Sequence, residues 1–114
     1  MGSKPQPPRH VPSHLVVKLK TGWRYDVSAR AFTCTRGASV PVGADLPRGS
    51  RIEYMIPHLA DADPRSLSVD ERDLALYVHL LFPKGTDARK YVEVVSVWTC
   101  VEEVELPPEV SLPH

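Results

Sequence analysis

The chain has 114 residues, 14 Lys and Arg against 14 Asp and Glu, and 42% hydrophobic residues, which suits one domain with a single modest core. Its formal net charge of zero speaks against an electrostatic binder of nucleic acid or anionic membrane, since either carries an excess of Lys and Arg. No apolar run approaches the roughly 18 residues of a membrane-spanning helix, and the opening "MGSKPQPPRHVPSH" lacks the apolar core of a secretion signal, so the expected setting is the cytoplasm, away from membranes.

The ends differ from the middle. Lys4, Arg9, Lys18 and Lys20 stand near the start without an acid, and Glu102, Glu103, Glu105 and Glu109 near the end without a base. Two solvated tails are the expectation, with head-to-tail pairing within or between chains as the alternative. Seven prolines, Pro5, Pro7, Pro8, Pro12, Pro107, Pro108 and Pro113, lie in these ends, where extended polyproline-like chain suits linkers. Residues 1–13 therefore read as a basic arm, 14–105 as a β-rich domain and 106–114 as an acidic tail.

"HLVVKLK" (14–20) reads as a strand closed by Thr21-Gly22. "WRYDVSARAFTCT" (23–35) keeps Trp23, Tyr25, Val27 and Ala29 on one face and then moves Phe32 and Cys34 to the other, which predicts a bulge or break near Ala31. "RGASVPVGADLPRG" (36–49) is turn-rich and has room for one short edge strand, because Pro41 cannot donate to a ladder. Within it Leu46-Pro47-Arg48-Gly49 suits a type I turn. "SRIEYMI" then alternates Ile52, Tyr54 and Ile56 with Arg51, Glu53 and Met55 as a half-buried strand.

Ser68 followed by Glu71 is a capping-box pattern, whereas Leu74, Leu76, Val78, Leu80 and Phe82 alternate as a strand does. The expectation is a short helical turn around 65–72 and a strand at 74–82. "YVEVVSVWTCV" (91–101) is a β-branched run across a polar loop, and it is expected to pair with 74–82 as a hairpin and to lie centrally in the sheet. The sum is a mainly β fold, a small antiparallel barrel or sandwich of five to six strands with at most one short helix.

Strong chemical signatures are missing: no phosphate-cradling Gly-Lys-Ser/Thr loop, no dinucleotide glycine fingerprint, no Cys-x-x-Cys and no His-Glu-x-x-His. "HLADAD" brings His58, Asp61 and Asp63 close in sequence, a weak cation pattern read first as a solvated loop. His79 reads as a core or edge histidine, and Cys34 and Cys100 as reduced small hydrophobes. Trp23 and Tyr25 beside Arg24 and Arg30 mix aromatic and basic residues as single-strand nucleic-acid surfaces do, but the simpler expectation is a core face with outward arginines. No enzyme, metal or cofactor is expected.

The order "PPRHVPSHLVVKLKTG", "DVSARAF", "LPRGSRIEYMIP" resembles the PilZ family, small six-stranded barrels of the bacterial cytoplasm. In that family an Arg-rich segment precedes the first strand. An Asp/Asn-x-Ser-x-x-Gly turn follows, and a Leu-Pro-x-Gly turn then leads into an alternating strand. The usual ligand is cyclic di-guanylate. The resemblance implies that Arg9 is a leading arginine and that Asp26 and Ser28 are polar turn residues at the ligand. Ser13 stands where the family has its second arginine, and Ala31 replaces the closing glycine. The lost arginine removes a charge-assisted bidentate contact. The resemblance thus implies a degenerate member that binds cyclic di-guanylate weakly or not at all. Such a member works as a non-enzymatic adaptor for a protein partner. The alternative is a structural subunit of the phage decoration or assembly type, a homo-oligomer joined through its terminal arms.

Overall fold

The computed structural model describes residues 12–43 and 45–107. Of the regions assigned to flexible ends, 1–11 and 108–114 lie outside these residues, and so does Arg9. The first strand, β1 (His14–Leu19), buries every second side chain, with Leu15, Val17 and Leu19 fully enclosed. This is the outcome that strand periodicity demands when one face meets the core. With β5 (Arg51–Tyr54), β6 (Tyr77–Leu81) and β7 (Val101–Glu105) it forms an antiparallel sheet in the order β5-β6-β1-β7. A second sheet is the meander β2 (Trp23–Asp26), β3 (Ala31–Cys34), β4 (Ser39–Pro41). Pro41 lies on an outer strand, where its missing N–H costs no ladder bond.

One hydrophobic core serves both sheets. Phe32 of β3 is fully buried, with its ring centroid 5.3 Å from that of Tyr25 and 5.8 Å from that of Trp98. Leu15, Val78, Leu80 and Val95 belong to the same cluster. Burial of such side chains contributes about 1.5–3 kcal/mol each, so the sheets are joined by packing. Among the described residues they are not joined by a continuous ladder and do not close into a barrel.

The mainly β expectation holds, but the inventory differs. Among the described residues there are seven strands where five or six were expected. The described residues also hold three short α-helices where at most one was expected: α1 (Pro57–Asp61), α2 (Val69–Leu74) and α3 (Val92–Ser96). Helix α2 carries the capping box as read: Ser68 Oγ accepts from Glu71 N–H at 3.2 Å, and Glu71 Oε1 accepts from Ser68 N–H at 3.0 Å. The strand after it is β6.

The largest correction is at 91–101. This run is not a strand and does not pair with β6: a 3-10 turn at Ala88–Tyr91 leads into α3, and β7 starts at Val101 beside β1. Both sides of β6 are occupied, by β1 and β5. The apolar residues also satisfy a helical spacing, since Val92, Val95 and Trp98 face the core while Val97 is 79% exposed. The Asp87 side chain accepts from Arg89 N–H and starts the helical path. β-Branched composition yields here to burial and strand availability, because strand preference depends on context.

The two turn expectations also shift. The break in 23–35 is a hairpin loop at 27–30, where Asp26 Oδ1 accepts from the N–H groups of Ser28 (3.0 Å) and Ala29 (3.2 Å), and Arg30 adopts a φ of 50°. The Pro-Arg-Gly turn is closed one residue later than expected, by Ser50 N–H on the Pro47 carbonyl at 3.1 Å. Gly49 then occupies the third position with φ 93°, while Arg48 has no positive φ. That combination is a type II turn, not type I.

Candidate functional site

The edges of β2 and β5 face each other across a seam between the sheets, and Tyr54 spans it. Its hydroxyl accepts from the Tyr25 N–H at 2.8 Å and donates to the Tyr25 carbonyl at 3.1 Å. Thr35 N–H bonds the Gly22 carbonyl, and the β2–β3 register continues from there, so residues 22, 24 and 26 face β3 and Tyr25 faces the seam. One phenol thus satisfies both main-chain groups that a further strand would otherwise pair. Burial pushes the Tyr25 phenol itself above its ordinary pKa.

On one side of this bridge lies a groove of about 910 Å³. Tyr25, Val27, Val42, Leu46 and Ile52 supply its apolar wall, and Arg30, Arg48 and Arg51 its charge. Each arginine comes from a different segment: the β2–β3 loop, the type II turn and the start of β5. Glu53 is the acid among the lining residues, and its Oε1 is 3.8 Å from Arg51 Nη1, with both side chains more than half exposed. Such an open pair has little hold on the arginine. The loop that carries Leu46 and Arg48 is tied to the core, because Trp98 Nε1–H donates to Asp45 Oδ2 at 3.1 Å.

On the other side lies a more apolar depression of about 580 Å³, walled by Trp23, Tyr54, Leu59, Leu67, Val69 and Leu76. Val69 is 79% exposed. Arg24 and Arg72 stand at this depression with Asp70 and Asp73, so the aromatic and basic residues of 23–30 are split between two surfaces and do not form one stacking strip.

Asp26 ends β2 half-buried and Ser28 lies in the exposed β2–β3 loop, and the Asp26 carboxylate is engaged by the loop's own N–H groups. Neither residue lines the arginine groove. His58 and Asp61 fall in α1, and Asp63 caps the following 3-10 turn by accepting from Arg65 N–H. Among the described residues no group of three or more His, Cys, Asp or Glu is placed to hold a metal ion. His79 is half-buried on β6 with its ring 5.4 Å from that of His14, and burial, then the charge of His79, lowers the His14 pKa. Both cysteines are free, and burial pushes the Cys100 thiol up to about 11, away from the thiolate that nucleophilic chemistry needs.

Lys18, named by the sequence only as part of the basic start, realises the alternative of pairing with the acidic end within one chain, where two solvated tails were the expectation. Its Nζ lies 2.8 Å from Asp73 Oδ1 and 3.1 Å from Glu102 Oε2. These bonds raise its pKa above the ordinary lysine value. A register shift between Lys18 and Leu19 places Glu102 beside it, so one cation ties α2 to β7 across β1. Alternation alone would put Lys18 in solvent, and the bulge that recruits Glu102 leaves no sequence mark.

Compared with known proteins, the chain matches no family model, no curated protein and no solved structure. No helix among the described residues is long and apolar enough to cross a membrane.

Proposed function

We propose that the protein is a non-enzymatic cytoplasmic binding domain of PilZ-like type, acting through a protein partner, with a degenerate cyclic di-guanylate site. The observation that carries this reading is the seam. It leaves a strand edge and two concave surfaces exposed on either side of the Tyr25–Tyr54 bridge. Its concavities combine apolar walls with a few charged groups, the usual make-up of a binding site. The two sheets are read as a barrel opened along this line. The groups that the resemblance assigns to the ligand support the degenerate reading, since the Asp26 carboxylate is already held by Ser28 and Ala29.

Two measurements test it. A pull-down from native lysate with the intact chain, followed by crosslink mapping, is expected to place a retained protein on residues of the seam. Crosslinks confined elsewhere on the surface count against the reading. Calorimetric titration with cyclic di-guanylate is expected to give no tight binding, and tight binding abolished by Arg9→Ala overturns the degenerate site.

A further inference from the structure

We infer that the arginine groove receives an extended acidic segment of the protein partner, added as a short strand against β5. The inference rests on the adaptor reading and names the chemistry of what is bound. Its first support is the strand edge. Met55 N–H bonds the Tyr77 carbonyl at 3.0 Å, and Glu53 and Arg51 lie opposite His79 and Leu81. By two-residue alternation, Arg51, Glu53 and Met55 direct their main chain toward β6, and Ile52 directs its N–H and carbonyl away from the sheet. Ile52 also lines the groove, so an edge with no strand partner among the described residues opens into it. Such an edge is a template for an incoming strand.

The second support is charge, which decides what kind of strand. Among the described residues, Arg30, Arg48 and Arg51 line the groove against the single carboxylate of Glu53. A guanidinium presents a planar fork matched to carboxylate oxygens, and three on separate segments suit a ligand whose acids recur along an extended chain. The alternate side chains of such a strand point the other way, toward Tyr25, Val42 and Leu46. The neighbouring edge of β2 cannot compete for the segment, because Tyr54 already holds the main chain of Tyr25. The occupant is therefore an alternating acidic and apolar peptide rather than a basic one.

The test uses the full chain and a capped, fluorescent octapeptide of alternating Glu and Val, with a Lys-Val octapeptide as its opposite. The Glu-Val peptide is expected to bind and the Lys-Val peptide not to. Arg30→Gln, Arg48→Gln and Arg51→Gln together are expected to weaken binding roughly tenfold, three exposed pairs at their usual value summing to about one decade. Glu53→Gln is expected to strengthen it, and an unchanged circular dichroism spectrum shows that each variant folds. N-methylation of one alternate set of peptide amides is expected to abolish binding and of the other set to spare it, as a strand edge requires. Equal binding of both peptides, indifference to the arginine changes or indifference to methylation overturns the inference. So does tighter binding of inorganic pyrophosphate, which marks a small-anion site. Binding that appears only after residues 106–114 are removed overturns it as well, because the chain's own acidic tail is then the occupant. A native partner crosslinked to the seam but retained by the triple arginine variant leaves the adaptor reading standing and removes this inference alone.

Discussion

The Tyr54 hydroxyl holds the Tyr25 main chain twice, accepting from its N–H at 2.8 Å and donating to its carbonyl at 3.1 Å. A side chain from the edge of one sheet thereby does the work of a missing strand at the edge of the other. The same contact separates the two concavities, since Tyr25 lines the charged groove and Tyr54 the apolar depression.

Tyr54→Phe keeps the ring and removes the oxygen, leaving a partly buried N–H and carbonyl unpaired. The expected cost is about 1–3 kcal/mol. Urea denaturation reads it as a lower midpoint with unchanged slope, and faster hydrogen exchange of the Tyr25 amide locates it. An unchanged midpoint removes the bridge from the account of how the sheets are held.

Gly49→Ala isolates the type II turn. An added Cβ meets Pro83 Cβ at an ordinary 3.6 Å, so the penalty comes from the φ of 93° and not from crowding. A loss of about 1 kcal/mol or somewhat more is expected, because the left-handed region is costly for any residue with a Cβ. A stabilised variant contradicts the turn assignment.

Lys18 gives the molecule an alkaline signature. Its folded pKa is raised by the Asp73 and Glu102 hydrogen bonds. A raised lysine contributes stability that is fully present below its unfolded value, near pH 10.4, and is lost as pH rises through the folded value. The difference in denaturation midpoint between the native chain and Lys18→Met is expected to stay constant from neutral pH to about pH 10 and to shrink above it. A difference that grows toward alkaline pH refutes the assignment.

Cys100 is fully buried with its thiol pKa pushed up, whereas Cys34 is half-buried. A disulfide-exchange reagent is expected to modify Cys34 in the native chain and Cys100 only after unfolding. Cys34→Ser should then leave no native reactivity. Fast native modification of Cys100 shows that the core opens locally.

Much of the fold was legible in short-range pattern. "HLVVKL" became β1 on its alternation, Ser68 and Glu71 formed the capping box they spell, and Pro41 lies on an outer strand as its missing N–H requires. The arginine groove was not legible, because Arg30 is remote in sequence from Arg48 and Arg51 and meets them only when the β2–β3 loop is laid beside the start of β5. The alternation of "RIEY" places Tyr54 in a half-buried strand, but nothing in it says that its hydroxyl crosses to Tyr25.

The sequence by itself determined a small, mainly β domain in a net-neutral chain, and it placed the α2 capping box where a local bond decides it, whereas the Pro-Arg-Gly turn and the break before β3 fell near their expected positions and not at them. Only the tertiary structure decided the fate of 91–101. A valine-rich run satisfies strand and helix spacing alike, and with both sides of β6 taken, Val95 is buried from a helix and Trp98 from the bend that follows it. The seam was decided in the same way. Whether two sheets close or part depends on which edges find partners, a competition among distant residues that no local pattern records.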